Sequence, residues 1–347
     1  MEDLLKEMSL PGLGVVIVVS LAALGWSAEW LVREAVALSE RSGIPKVVIG
    51  ATVVSLGTTA PEVAVSVMAA VNKKPELAMG NAVGSIICDT GLVLGVACLI
   101  CPLPLPKNIV NRQGWVQFAS GILLVAASWP WSDPTSVFSG AGGRLSQLWG
   151  FGFLVLLGFY LWISWRWAKE MGNGSPLEEL EVDVTAPLPV VLAKLFCSIA
   201  LVVIASNVLI HAVSIFADRI GIPQSIIAVT LVALGTSLPE LVTAITAARH
   251  GHGDLAVGNV VGADVLNALF VAGAAAAVTP QGLEVSVDFF QRMFPFMIGL
   301  LLVLRAGIFF SGDRLNRGFG MVLLALYGLF LVTVFVHVLS KPANVAG

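Results

Sequence analysis

The sequence predicts an all-α integral membrane protein whose ten transmembrane helices form two inverted five-helix repeats. Composition, the spacing of apolar runs and an internal duplication lead to that class. Of 347 residues, 57% are hydrophobic and 12% charged, and the mean hydropathy is +0.92. Soluble domains carry roughly 25% charged residues. Here 19 basic and 22 acidic side chains are too few to cover the surface of a soluble protein of this length. The same counts exclude disordered, collagenous and disulfide-scaffold classes. At about 20 apolar residues per crossing, plus short loops, the length allows about ten helices.

Apolar runs bounded by polar or Pro/Gly punctuation fall near residues 11–40, 45–71, 76–101, 114–131 and 148–168. A second set falls near 188–218, 223–248, 254–279, 291–310 and 318–339. The clearly hydrophilic connection, 169–186, carries Glu178, Glu179, Glu181 and Asp183. It separates a first repeat (1–168) from a second (187–347).

An offset of 178 residues relates the halves without a gap. It pairs Gly43-Ile44-Pro45 with Gly221-Ile222-Pro223, Leu56-Gly57-Thr58 with Leu234-Gly235-Thr236, and Pro61-Glu62 with Pro239-Glu240. It continues through Gly80-Asn81 and Gly258-Asn259 to Gly95 and Gly273, with 21 of 53 positions identical. Shared hydrophobicity would not match Pro, Glu, Asn and Gly, so this is a duplication. Five crossings per copy place the second copy upside down relative to the first. Inverted repeats are the signature of secondary transporters that alternate access around a midplane site. The connections after spans 1, 3, 5, 7 and 9 collect about 12 of the 19 Lys and Arg residues. The positive-inside rule then places both termini outside and the 169–186 loop in the cytoplasm. The expected location is a prokaryotic inner (plasma) membrane. The acidic start, Met1 to Glu7, does not fit the basic opening of a signal peptide.

The chemistry concentrates in spans 2 and 7, which read Gly57-Thr58-Thr59-Ala60-Pro61-Glu62 and Gly235-Thr236-Ser237-Leu238-Pro239-Glu240. A mid-span carboxylate is costly in hydrocarbon and faces a protein interior or a wet cavity. The adjacent proline removes a backbone donor, freeing carbonyls near Thr58 and Thr236 for a cation. Thr58 lies four residues before Glu62, as Thr236 does before Glu240, so each hydroxyl is expected on the glutamate's helix face. In the next span Asn81, Ser85 and Asp89 step by four, with Asn259, Ala263 and Asn267 as counterparts. Hard oxygen donors with two or three negative charges suit calcium, and no histidine or cysteine in the set favours zinc or copper. Two buried glutamates in matching Pro-Glu contexts make simple interhelical hydrogen bonding a poor explanation. Gly80, Gly84, Gly258 and Gly262 read as close-packing positions, whereas Asn81 and Asn259 serve equally well as interhelical glue or as ligands. Glu29 is expected to pair with Arg33. Asp264, off the Asn259–Asn267 face, is either a proton or cation relay or a locally hydrogen-bonded group.

At these residues the sequence resembles the sodium/calcium exchanger branch of the calcium/cation antiporter superfamily, whose two alpha repeats the paired motifs match. The resemblance implies a ten-helix fold with the ion site on spans 2, 3, 7 and 8. It implies that Glu62 and Glu240 hold Ca2+ with help from the Thr58 and Thr236 carbonyls. Thr59, Ser237 and Ser85 would line sodium sites, Asp89 and Asn267 would complete the centre, and spans 1 and 6 would slide across it. The implied activity is exchange of Ca2+ for Na+, with Ca2+/H+ exchange as the alternative. No resident cofactor and no nucleic-acid partner are expected; Ca2+ and Na+ are the implied cargo, with H+ in place of Na+ in the alternative. The protein is expected to be a monomer or weak oligomer in the lipid bilayer. Three departures stand out. Ala263 replaces the family's usual serine, Ile86 and Asp264 occupy places usually held by asparagine, and Asn267 argues against potassium dependence. An enzyme reading has only Gly251-His252-Gly253-Asp254, formally a GxGD motif but without a partner aspartate beside Tyr160 or Tyr327.

Overall fold

The computed structural model describes residues 2–135, 137, 140, 142–170, 187–220 and 235–340. The described residues are mainly helical. Seven helices are long and apolar enough to cross a membrane, and a bent pair makes an eighth crossing if it is one span. Those seven are α1 (Leu10–Ser42), α3 (Pro75–Ile100), α5 (Gln147–Glu170), α6 (Leu188–Arg219), α8 (Gly253–Ala277), α9 (Phe289–Phe310) and α10 (Arg317–Ser340). The bent pair is α2a (Lys46–Thr58) and α2b (Ala60–Val71), at 44° to each other. Helix α4 (Lys107–Ser128) is long enough but carries Asn111, Arg112, Gln113 and Gln117 in its first half. Helix α7 (Leu238–Arg249) starts after a turn at Thr236–Ser237; residues 221–234, which include the start of the span expected near 223–248, lie outside the described residues. Most of the 169–186 loop and the chain's last seven residues also lie outside them.

Helix α1 starts on Ser9, whose hydroxyl accepts from the Gly12 amide at 3.3 Å, with Pro11 in its first turn. It stops at Gly43, whose φ of +66° only glycine adopts cheaply. One face buries Leu24, Ala28, Leu31 and Ala35 at helical spacing, while Val15, Val18, Val19 and Trp26 remain exposed. Helix α6 behaves alike, and the two run against each other along much of their length. At 1.5 Å per residue each is about 50 Å long, more than a hydrocarbon core of about 30 Å, so they tilt or emerge from it.

Helices α3 and α8 form the centre. The apolar window of α3 is 72% buried and that of α8 89%, against 22–33% for α1, α6 and α10. Glycine makes the central crossing possible. A Cβ on Gly258 would lie 2.1 Å from the Val47 carbonyl oxygen, and one on Gly262 2.4 Å from that of Ala51, so α2a crosses α8 backbone to backbone. The close-packing expectation thus describes Gly258 and Gly262. The segment that the duplication would set against Gly80 and Gly84 lies outside the described residues.

Four strands of two or three residues, which the sequence does not predict, tie the halves together. The strand β1 (Leu103–Pro104) pairs with β4 (Arg314–Leu315), and β2 (Gly143–Leu145) pairs with β3 (Leu283–Val285). Strand β1 precedes α4 and β2 follows it, so the two pairs sit at opposite ends of that helix. In the second half β3 precedes α9 and β4 follows it. Each pair therefore joins the loop before one half's fourth span to the loop after the other's.

The helix bounds fall within a few residues of the apolar runs, except that α7 begins only at Leu238 and α4 starts seven residues earlier than expected. Its polar first turns have partners. Arg112 pairs with Glu170 at 2.9 Å, Gln113 donates to Ser164 at 3.0 Å, and Asn111 accepts from Arg305.

Candidate functional site

Both glutamates occupy the first turn of a helix, Glu62 in α2b and Glu240 in α7, each directly after a proline. An N-terminal first turn offers free N–H groups and the positive end of the helix dipole, which favour a carboxylate. Proline sets that start, since Pro61 cannot donate to the Gly57 carbonyl and the chain bends at Thr59. Ten of the eleven residues singled out from the sequence are buried: Thr58, Thr59, Glu62, Asn81, Ser85, Asp89, Ser237, Glu240, Asn259 and Asn267, none more than 4% exposed. The eleventh, Thr236, is half-buried.

The hydroxyls serve the glutamate of the opposite half. Thr59 Oγ1 donates to Glu240 Oε1 at 3.3 Å, and the Thr236 hydroxyl lies against the Glu62 carboxyl. This corrects the expectation that Thr58 and Glu62 share one helix face. The break at Thr59 falls between them, so the four-residue spacing no longer stacks their side chains. Ser85 Oγ and Thr236 Oγ1 are 3.3 Å apart, a second link between halves.

A third link marks the centre. Asn267 Nδ2 donates to Asp89 Oδ2 at 3.3 Å, and these residues are equivalent under the 178-residue offset. The contact brings two positions that match in the duplicated sequence against each other. Each begins a π-helical turn, Asp89–Val93 in α3 and Asn267–Val271 in α8, and such turns recur at functional sites. Asn81 lies one wall out, where its amide donates to the Glu62 carbonyl at 3.0 Å and to Ser66 Oγ at 2.9 Å. It acts as glue between α3 and α2b while its Oδ1 has no partner. Neither polar atom of Asn259 has one.

The donor balance defines what the site can do. Buried oxygens without a hydrogen-bond partner include both of Glu62, Oε2 of Glu240, Oδ1 of Asp89, Oδ1 of Asn267 and Oγ of Ser237. Buried polar groups are normally paired, and a bare buried carboxylate is costly. Among the described residues no three His, Cys, Asp or Glu side chains form a ready-made metal cluster. An ion here would therefore be held by carboxylates mixed with amide, hydroxyl and carbonyl oxygens. That is a hard-cation environment.

Other sequence expectations fall elsewhere. Glu29 and Arg33 form no ion pair and both are exposed. The buried carboxylate of α1 is Glu34, which accepts from Trp30 Nε1 at 3.1 Å and lies 3.9 Å from Lys194 Nζ of α6. The cysteines are free thiols, and Cys101 donates to the Ala248 carbonyl. Asp254 of the GxGD sequence caps the start of α8, where its Oδ1 accepts from the Leu255 amide at 2.9 Å. Ser66, Thr90 and Gln117 carry no motif that marks them. The one hint is that Gln113 and Gln117 stand four apart in an otherwise apolar helix.

Comparison with known proteins agrees with this architecture. Residues 13–166 and 190–336 match the family described as sodium/calcium exchanger protein. A sodium/calcium exchanger of Methanosarcina acetivorans, MaX1, is 29% identical, over 92% of this chain and 98% of the relative. The inner membrane protein YrbG of Escherichia coli is 32% identical, over 92% and 95%. A solved structure of the sodium-calcium exchanger NCX_Mj, soaked with Na+ and Sr2+, superposes with a TM-score of 0.75 at 26% identity, covering 94% of this chain and 99% of that one.

Proposed function

Because the chain belongs to the sodium/calcium exchanger protein family, we propose that it is an antiporter exchanging Ca2+ for Na+ by alternating access at the Glu62–Glu240 centre. The observation that carries this reading is the set of six unpartnered buried oxygens on Glu62, Glu240, Asp89, Asn267 and Ser237. Calcium takes six to eight oxygens, and this set mixes carboxylate, amide and hydroxyl donors as calcium sites do. The names of MaX1 and NCX_Mj point the same way.

The mechanism follows from charge. Two ionised glutamates attract either one Ca2+ or several Na+, so occupancy by one excludes the other. An empty centre would enclose bare charge, and sliding the apolar helices α1 and α6 over it would be costly. A filled centre removes that cost, which couples the two fluxes without covalent chemistry. Thr59 and Ser85 help by orienting Glu240 and Thr236 across the halves.

The proposal includes ten crossings in inverted halves. The strand pairs support it, because loops equivalent by duplication lie at opposite ends of α4. The positive-inside count supports a cytoplasmic 169–186 loop. Proton coupling remains the second reading, favoured by carboxylates beyond the glutamate pair, Asp89 and Asp264.

The test is calcium-45 uptake into sodium-loaded proteoliposomes, driven by a sodium gradient or a pH gradient alone, for wild type and Glu62→Gln. Sodium-driven uptake lost in the variant is the expected result. Uptake driven only by pH moves the coupling ion to H+, and no uptake under either gradient rejects calcium as cargo.

A further inference from the structure

Asp264 stands apart from the oxygen set above, yet its surroundings are built around a carboxylate. It is 1% exposed and turns from the Asn259–Asn267 face of α8 toward α3 and α4. Thr90 Oγ1 and Gln117 Nε2 both donate to its Oδ2, while Oδ1 is buried with no hydrogen-bond partner. Thr90 follows Asp89, and Asn267 donates to Asp89. Adjacent residues of the α3 π turn thus bond two residues three apart on α8. The bracket places Asp264 beside the Asp89–Asn267 contact. Gln113, one turn before Gln117, is also buried and leaves Oε1 unpartnered. Under the 178-residue offset the counterparts of Asp264 and Thr90 are Ile86 and Ala268, so this bracket is not repeated.

Charge makes the bracket significant. The groups on the helices packed around α8 are Glu62 of α2b, Asp89 of α3, Glu240 of α7, Tyr160 of α5, whose hydroxyl donates to the Ala51 carbonyl, and the neutral Gln113 and Gln117 of α4. The Lys46–His252 contact lies at the far, N-terminal end of α8. Four carboxylates therefore share one dry region, and one Ca2+ balances two of them. Thr90 and Gln117 neutralise nothing, though they fix Oδ2 and leave Oδ1 open to a positive partner.

We propose that Asp264 is a monovalent-cation site of the transport cycle, binding a proton or Na+ at Oδ1 while Thr90 and Gln117 hold Oδ2. The inference rests on the antiporter reading and adds one coupled charge per Ca2+ to what the Glu62–Glu240 centre supplies.

The experiment measures the coupling ratio in proteoliposomes, from the sodium, pH and voltage gradients at which net calcium flux vanishes, for wild type and Asp264→Asn. The variant keeps an acceptor for Thr90 and Gln117 and removes the charge. It should still move calcium in a Glu62-dependent way, with the ratio lowered by one monovalent cation. Loss of the sodium dependence identifies Na+, and loss of the pH dependence identifies H+. An unchanged ratio overturns the proposal and leaves Asp264 a structural carboxyl group. A wild type without calcium flux overturns both this proposal and the antiporter reading. Gln117→Leu keeps the carboxyl but removes one donor to its charged form. It should lower the half-saturating monovalent-ion concentration about tenfold with that for calcium unchanged. An unchanged value in Gln117→Leu also overturns the proposal.

Discussion

In the first half, Asn81 donates to the Glu62 carbonyl and to Ser66, and Ser66 donates to the Ala78 carbonyl. In the second half, Asn259 stands at the equivalent place, Ala244 replaces Ser66, and neither polar atom of Asn259 has a partner. The same contrast recurs around the Asp89–Asn267 contact, where Ser85, Asp89 and Thr90 have Ala263, Asn267 and Ala268 as counterparts. Glu62 and Glu240 keep their identity, their proline and their place in a helix first turn. The two glutamates are thus preserved in both copies, whereas the residues around them have partly diverged. The first half is tied by Asn81–Ser66 side-chain hydrogen bonds that have no counterpart at Asn259, while each half contributes three of the six unpartnered oxygens.

The largest effect expected from breaking this arrangement lies at the helix crossing. Gly258→Ala places a Cβ 2.1 Å from the Val47 carbonyl oxygen, so backbone must move. A loss of about 3 kcal/mol, at the top of the usual overpacking range, is expected in thermal unfolding in detergent. Next comes the Asp89–Asn267 pair. Asp89→Asn removes the carboxylate of that pair and should weaken calcium transport roughly tenfold, about 1.4 kcal/mol. Adding Asn267→Asp restores the charge on the other partner and should recover most of that loss, a coupling that a double-mutant cycle measures. Ser66→Ala makes the first half resemble the second and should cost about 1 kcal/mol of stability. Ala244→Ser tests the converse by offering Asn259 a partner.

The smallest effect is electrostatic. His252 sits just before α8, 3.4 Å from Lys46 Nζ, and burial together with that ammonium lowers its pKa to about 4. The folded protein then binds fewer protons than the unfolded chain between about pH 6.5 and 4, so this group's contribution is present above that window and is lost as pH falls through it. His252→Gln should flatten the acid limb of the stability profile, measured by thermal unfolding between pH 7 and 4.

Much of this was legible in sequence, for physical reasons. A hydrocarbon environment forces long apolar runs, which locate α1, α3, α5, α6, α8, α9 and α10. The duplication picks out Glu62 and Glu240, because two prolines beside two buried acids do not arise from hydrophobicity alone. Tertiary partners hid the rest. Helix α4 begins early because Arg112 and Gln113 find Glu170 and Ser164, contacts far apart in the chain. Thr58 does not share the expected face with Glu62 because Pro61 bends the helix between them. Asp264 could not be resolved from α8 alone, since both of its donors come from α3 and α4.

Equilibrium calcium-45 binding to purified protein, with sodium titrated against it, tests most directly whether Glu62 and Glu240 form one shared ion centre. The account predicts one Ca2+ per chain, displaced as sodium rises and lost in both Glu62→Gln and Glu240→Gln. Calcium binding that survives either substitution, or that sodium leaves untouched, would contradict it.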